Sequence, residues 1–476
     1  MNRIFLLLKK YWLPILAFII SFAMFYPSLS GFFTHDDFYF LKISRVDSIG
    51  GFLNFFNPAN DTNGIGVYRP LTLRVFYFLG STIFNLNPLG LRIISFITFY
   101  LNVILVGYLA KLLTRNDKVS ALSLFLYATS VTHFGQLYYI GAYQELFITF
   151  VFLSSIICFI KFPGNFLYSF IFFLIALMAK ETAVMIPTAI VCVYFYLKSE
   201  RRIKTSFKKV ALSLLPFVSL LILYLYLHFF HFGTIEGDSY IWNFSITKAV
   251  NTTFWYFLWS LNLPEMLVDF VGPGVRLNPN LLKYWSNQII PIFILFIIQI
   301  AIIFFAILKS KILNLKSIIF FSFSWFVLTL LPVIFLPLHK FTYYLTLPLF
   351  GIVLLLSYIF INLKSKVYIV FCVVWVALSF FTLQLTKETN WITQGIQVSK
   401  RVHTYLEVNK QDLSGKKITF VDEPEDELLP WSPTSTLKIV LADNNFFEVF
   451  YPGVFAGVSY SGTGDVQIGS RQFLGY

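Results

Sequence analysis

Runs of about 20 apolar residues, each long enough to cross a bilayer as helix, recur through most of this chain and leave few folds open to it. They lie near Trp12–Leu29, Leu91–Leu113, Val119–Tyr139, Tyr143–Phe162, Phe166–Ala179, Thr182–Leu197, Val210–Phe230, Ile289–Leu308, Ser317–Leu336, Thr342–Ile361 and Val367–Leu385. With 57% hydrophobic and 12% charged residues, a water-soluble globule is excluded. The sequence predicts an all-α polytopic membrane protein of about eleven transmembrane helices.

Arg3, Lys9 and Lys10 precede the first run, which is read as a retained span rather than a cleaved signal. If the N-terminus is cytoplasmic, the cytoplasmic segments hold 18 of the 36 Lys and Arg but only Asp117 and Glu200 among the acids. The other side carries the remaining 18 basic residues and 21 acids, a positive-inside bias. The net charge of +13 therefore belongs to topology and calls for no nucleic-acid partner. Cys158, Cys192 and Cys372 all sit in apolar runs, which excludes a disulfide framework and a cysteine metal cluster.

An odd span count puts the C-terminus outside, with a first outer loop at 30–90 and a second at 231–288. Within the second, Phe254–Leu263 is read as an interfacial or re-entrant helix. Residues 1–386 thus form the membrane part and 387–476 a small extracytoplasmic α/β domain. In that tail Gln394–Lys410 predicts a helix, Lys416–Val421 and Thr436–Leu441 predict strands, and Gly453–Gly469 reads as turns.

Asp36 and Asp37 stand just beyond the first run. Two readings are open: a helix N-cap, or a general base at the membrane surface. Lys180-Glu181 lies between two apolar runs almost without a loop, either as an interfacial anchoring pair or facing a cavity. His133 is either a satisfied interface residue or a ligand, and His339-Lys340 ends the ninth run. On the topology above Asp36, Asp37, Arg69, Arg74, His133, Glu145, Lys180, Glu181, His339 and Lys340 share one face of the membrane. That convergence favours catalysis over capping, in a cleft where cations meet a lipid-linked phosphate and a carboxylate takes a proton.

Five segments carry a resemblance: His35-Asp36-Asp37, Tyr68-Arg69-Pro70-Leu71, His133 with Gln144-Glu145-Leu146, Lys180-Glu181, and Leu345 to Gly351. In these the chain resembles the membrane-embedded glycosyltransferases of the GT-C superfamily, in particular the protein O-mannosyltransferase-like group and the transmembrane O-mannosyltransferases with tetratricopeptide repeats. It lacks the repeats, and it has His339-Lys340 where that family has an Arg. The resemblance implies a polyprenyl-phosphate-linked sugar donor, a protein, glycolipid or polysaccharide acceptor, and the first-loop aspartates as base. Arg69, His133, Glu145, Lys180, Glu181, His339 and Lys340 would then bind substrate and phosphate. A divalent metal at the aspartate pair is a further option, although hard cations want several oxygen ligands and few other acids are obvious nearby. A non-enzymatic lipid-carrier transporter and an inactive envelope scaffold are the rival readings.

Overall fold

A backbone in hydrocarbon must satisfy its own hydrogen bonds, and helix does this within each segment. The computed structural model describes residues 2–59, 66–162, 165–233, 240–272, 274, 276–310, 316–361 and 363–475, and is 73% helical. Its main helices are α1 (Asn2–Phe25), α2 (Asp36–Ile43), α3 (Pro88–Thr114), α4 (Asp117–Ala128), α5 (Tyr143–Lys161) and α6 (Leu167–Leu177). They continue with α7 (Ile186–Ser199), α8 (Phe207–Leu227), α9 (Ile246–Ser260), α10 (Asn280–Lys309), α11 (Lys316–Leu330), α12 (Leu349–Ile361) and α13 (Ser365–Thr389).

Among the described residues seven helical stretches have the length and composition to cross a membrane: Trp12–Ser30, Pro88–Thr114, Ile140–Lys161, Glu181–Ser199, Phe207–Phe232, Asn280–Lys309 and Lys366–Thr389. The other four apolar runs give the shorter helices α4, α6, α11 and α12. Local chemistry stops them. The Thr129 hydroxyl bonds back to the Phe125 carbonyl as α4 ends, and Ser130 opens a new turn by capping Thr132. Pro332 follows α11, and Pro348 precedes α12. Apolar side chains such as Ile222 and Leu223 on α8 and Ile297 and Phe304 on α10 stay exposed, as faces turned toward lipid do.

The interior is built by α3 against α4 and α5, α5 against α6, and α12 against α4 and α11. At one end Arg202 donates to the Leu112 and Leu113 carbonyls and Ser317 to Glu200, which gathers basic connections of the chain. Lys311, counted with that basic set, and residues 60–65 of the polar Asn57–Gly66 stretch lie outside the described residues. The Phe254–Leu263 stretch belongs to α9 and the turn after it. There Asn262 adopts φ 69° and its side chain accepts from Ser130 Oγ at 2.8 Å and Val131 N at 3.1 Å. Irregular backbone is thus enclosed by protein.

After Asn390, which caps the next helix by accepting from Ile392 N at 2.9 Å, α14 (Trp391–Val408) leads into the C-terminal stretch. Strand β1 (Lys417–Val421) is flanked on both sides by parallel strands, β2 (Gly457–Ser459) and β3 (Val466–Gly469). The turns expected across Gly453–Gly469 therefore contain two strands. The strand expected at Thr436–Leu441 is overturned as well: Pro433–Val440 is the helix α15. Ser432 caps it by accepting from Ser435 N, Pro433 starts it, and the buried Leu437 and Val440 fall at helical spacing. A short helix α16 (Asn445–Phe450) follows.

Candidate active site

The loop leading to the aspartates is pinned by one guanidinium. Arg92, buried in α3, donates from Nε to the Gly31 carbonyl (2.9 Å), from Nη2 to Phe32 (2.9 Å), and from Nη1 to Leu137 (3.2 Å) and Tyr138 (3.1 Å). This fork fixes the turn before Asp36 against the turn that carries Tyr139. His35 then takes φ 53°, ψ −128°, a strained conformation for a residue with a side chain. Gly395 of α14 permits it, since a Cβ there would meet His35 Cε1 at 2.4 Å and Thr34 Oγ1 at 2.5 Å. His35 N donates to the Val440 carbonyl at 2.8 Å, and its ring stands 4.8 Å from Trp391.

The two carboxylates are not equivalent. Asp37 is fully buried, with Oδ1 accepting from the Tyr77 hydroxyl at 2.6 Å and Oδ2 from Thr34 N at 3.0 Å. Burial pushes its carboxyl up to about 7 against the opposing pull of those bonds and of Arg92. Asp36 is exposed, and among the described residues its side-chain partner is the Tyr139 hydroxyl, 3.3 Å from Oδ2. The surrounding protein raises its carboxyl too from its ordinary value, against the Tyr139 hydrogen bond. His35, at the cap position itself, makes no side-chain capping bond. Asp37 ties the start of α2, and Asp36 Oδ1 has no hydrogen-bond partner among the described residues.

The second cluster is two ion pairs, one buried, Lys180 with Glu145, and one half-buried, Arg69 with Glu181. Lys180 is paired with Glu145, and its ammonium lies 4.7 Å over the Tyr344 ring. Arg69 meets Glu181 from Nε at 2.9 and 3.0 Å and donates from Nη1 to Gln144 Oε1 at 2.5 Å. Burial opposes charge on Arg69, but the Glu181 carboxylate outweighs it and holds the guanidinium above its ordinary value. The cations expected to be open for phosphate are thus already matched by carboxylates, because a lone charge so deep would go uncompensated.

His339 packs 4.1 Å from the Tyr240 ring, and neither of its nitrogens has a hydrogen-bond partner among the described residues. Burial, and then Lys180 and Arg69, push it down to about 4, so at neutral pH it is an imidazole rather than a cation. Lys340 is half-buried facing Asp269, and burial lowers its ammonium. His133 does not join the cluster. It is enclosed between the Phe99 and Tyr127 rings at 4.9 and 4.6 Å, with Nε2 on the Tyr127 carbonyl at 2.9 Å, as a packing residue. Arg74 bonds the Ile43 carbonyl at the end of α2.

A cavity of about 400 Å³ opens beside the ion pairs. Arg69, Lys180, Glu181, Tyr240 and Tyr344 form its polar end; Leu225, Phe229, Trp242, Leu331 and Phe335 line its apolar walls. Larger hollows, of about 840 Å³ beside 45–52 and about 760 Å³ between α7 and α11, bring no buried charges together. Tyr240 links the clusters, lying within electrostatic reach of Arg69, Asp36 and Glu181 alike. Glu265 fixes the Tyr343-Tyr344 turn by accepting from both N and Oγ1 of Thr342 at 2.6 Å.

Sequence reasoning missed Arg92, Tyr77, Tyr139, Tyr240 and Trp391. Arg92 alone had a visible signal, as a basic residue inside an apolar run. Among the described residues no group of three or more His, Cys, Asp or Glu is placed to hold a metal ion. The aspartate pair does not fit one, because both Asp37 oxygens serve Tyr77 and Thr34. Compared with protein-family models, with curated proteins and with solved structures, the chain matches none.

Proposed function

We propose that this chain is an integral-membrane glycosyltransferase of the GT-C type, with about eleven spans, a cytoplasmic N-terminus and an extracytoplasmic C-terminal α/β domain in the cell membrane. It moves a hexose, mannose or a relative, from a polyprenyl-phosphate donor to an acceptor hydroxyl of a protein, glycolipid or polysaccharide on the outer face. The observation that carries this reading is the division of labour in the aspartate pair. Asp37 is consumed by local hydrogen bonds, while Asp36, exposed and with a raised carboxyl, lies within electrostatic reach of Tyr240, which lines the amphipathic, charge-tipped cavity.

In this reading the acceptor O–H gives its proton to an Asp36 oxygen as the acceptor oxygen attacks the anomeric carbon. The bond from that carbon to the phosphate oxygen breaks on the opposite face, through an oxocarbenium-like state, so configuration inverts. A base whose carboxyl is raised holds a proton better than an exposed aspartate would. The departing phosphate gathers charge near Lys180 and Arg69, which carry it by partly exchanging Glu145 and Glu181. Neutral His339 has an N–H without a partner to donate, and the hydroxyls of Tyr240 and Tyr344 stand beside the same end.

The two neutral ion pairs also suit a chain that only holds a lipid carrier, as a transporter or scaffold. Product analysis separates the readings: purified protein in detergent is mixed with a panel of polyprenyl-phosphate sugars and envelope extract, and sugar transfer is sought. Transfer by wild type that is lost in Asp36→Asn supports the enzyme; donor binding without any transfer supports the carrier.

A further inference from the structure

Residues 240–246, Tyr-Ile-Trp-Asn-Phe-Ser-Ile, carry no charge, yet the segment is turned outward. Trp242 is 49% exposed, Phe244 71% and Ile246 79%. Phe230, at the end of the α8 span, is 79% exposed as well. In water such a surface would be costly, at about 25 cal/mol per Å² of apolar area. It is nonetheless ordered: Asn243 N donates to the Phe335 carbonyl at 2.8 Å, Asn243 Oδ1 accepts from Ser245 N at 3.1 Å, and the Phe244 ring rests 5.3 Å from Phe335. On the α8 span Tyr226 and Phe229 are exposed as well, and Phe229 meets the segment at the cavity that it lines together with Trp242. Trp242, Phe229 and Phe335 belong at once to this patch and to the wall of the 400 Å³ cavity, whereas Tyr240 sits at its polar end.

We propose that residues 240–246, with Phe229 and Phe230, form a platform seated in the headgroup–acyl boundary of one leaflet, and that it frames a side portal through which a lipid chain enters the cavity from the bilayer. Uncharged aromatic segments at the end of a span partition to that depth because their rings prefer the interface. The head of the entering lipid meets the ion pairs while its chain stays between Leu225, Phe229 and Phe335. The membrane contact stands on exposure and continuity alone; the cargo of the portal rests on the donor reading above.

The test uses the full chain with Cys158, Cys192 and Cys372 replaced by Ser, reconstituted in phosphatidylethanolamine–phosphatidylglycerol vesicles. A nitroxide is placed by Phe244→Cys, or by Val408→Cys on the exposed end of α14 as the water-side control. Oxygen, which concentrates in lipid, should relax the label at 244 more than a water-soluble nickel chelate does, and the order should reverse at 408. Chelate access at 244 equal to that at 408 overturns the platform. A photoreactive polyprenyl phosphate should label wild type, and Phe244→Glu should lower labelling by about tenfold, the effect of roughly 1.4 kcal/mol. Equal labelling of Phe244→Glu overturns the portal. No labelling of wild type overturns the portal and the donor reading together; labelling without sugar transfer leaves the portal and overturns the transferase.

Discussion

Asp36→Asn tests the mechanism with little structural disturbance. The amide matches the carboxylate in size, and its oxygen still accepts from Tyr139 across a contact that is already long at 3.3 Å. Stability should therefore change by less than about 1 kcal/mol. The substitution cannot take a proton at neutral pH, so transfer should fall by at least about 100-fold, or about 2.7 kcal/mol of barrier. Affinity for the lipid donor should stay near wild type. The assay is transfer of a radiolabelled sugar at saturating donor, with donor binding and melting temperature measured on the same preparations. Because the Asp36 carboxyl is raised by its surroundings and works unprotonated, wild-type activity should fall as pH drops, at a higher pH than an ordinary aspartate would set. The residual activity of Asp36→Asn should lack that acid limb. Asp37→Asn should lose less, since an amide can still accept from Thr34 N and donate to the Tyr77 oxygen. Turnover near wild type in Asp36→Asn, with folding intact, would falsify the assignment of the base.

Arg92→Ala strands four carbonyl contacts and should lower stability by more than the about 1.5–3 kcal/mol of one charged hydrogen bond; melting in detergent reads this, and Arg92→Lys should not restore it. Burial raises the Asp37 carboxyl to about 7 in the folded chain, against an ordinary 3.8. The stability it contributes is therefore full below about 4 and lost as pH rises through about 7, and a thermal scan across that window should show wild type falling more than Asp37→Asn. Lys180→Met leaves Glu145 buried alone and should cost about 3–5 kcal/mol. Adding Glu145→Leu should recover most of that stability without recovering donor binding; recovered donor affinity would leave the pair a purely structural role. Reporter fusions after Lys204 and at the C-terminus should give opposite-side signals, and same-side signals would overturn the eleven-span topology.

Helix content and the spanning stretches were legible because a run of apolar residues has few ways to satisfy its backbone. Helix ends were less so. Val119–Tyr139 reads as one run, yet Thr129 and Ser130 break it by bonding to the backbone, an effect that hydropathy does not register. Thr436–Leu441 shows strand-like alternation, but a capped, proline-started helix needed the neighbours Ser432 and Pro433 to be recognised. Of the site residues, scarcity of charge in an apolar chain drew attention to Asp36, Lys180, Glu181, Glu145 and Arg69 as residues of one membrane face, and the structure brings the last four together as two ion pairs. It could not tell who pairs with whom, so Lys180 and Arg69 read as free cations when each already has a carboxylate. Nor could it separate His133, a packing ring, from His339, whose nitrogens lack partners. The tyrosines were invisible among 27 in the sequence, since only position gives Tyr139 and Tyr240 their roles.

The C-terminal stretch reads from the sequence as a small domain of its own, and its contacts make it part of the architecture of the Asp36 loop. Ser399 Oγ holds the Phe33 carbonyl at 2.6 Å, Arg45 reaches the Val449 carbonyl at 2.7 Å, and Phe38, one residue after the aspartates, packs edge-on to Phe446 at 5.0 Å. The positive φ of His35 is the reason such support is needed. A non-glycine residue held there costs about 1–3 kcal/mol and persists only where the surroundings over-determine it. Two of the groups that do so, Val440 and Gly395, lie beyond the last span, and Arg92 supplies the remainder from within α3. The conformation of the Asp36 loop is therefore a joint product of a buried arginine in α3 and the helices and strands of the C-terminal stretch, neither of which needs to touch a substrate to set the geometry of the site.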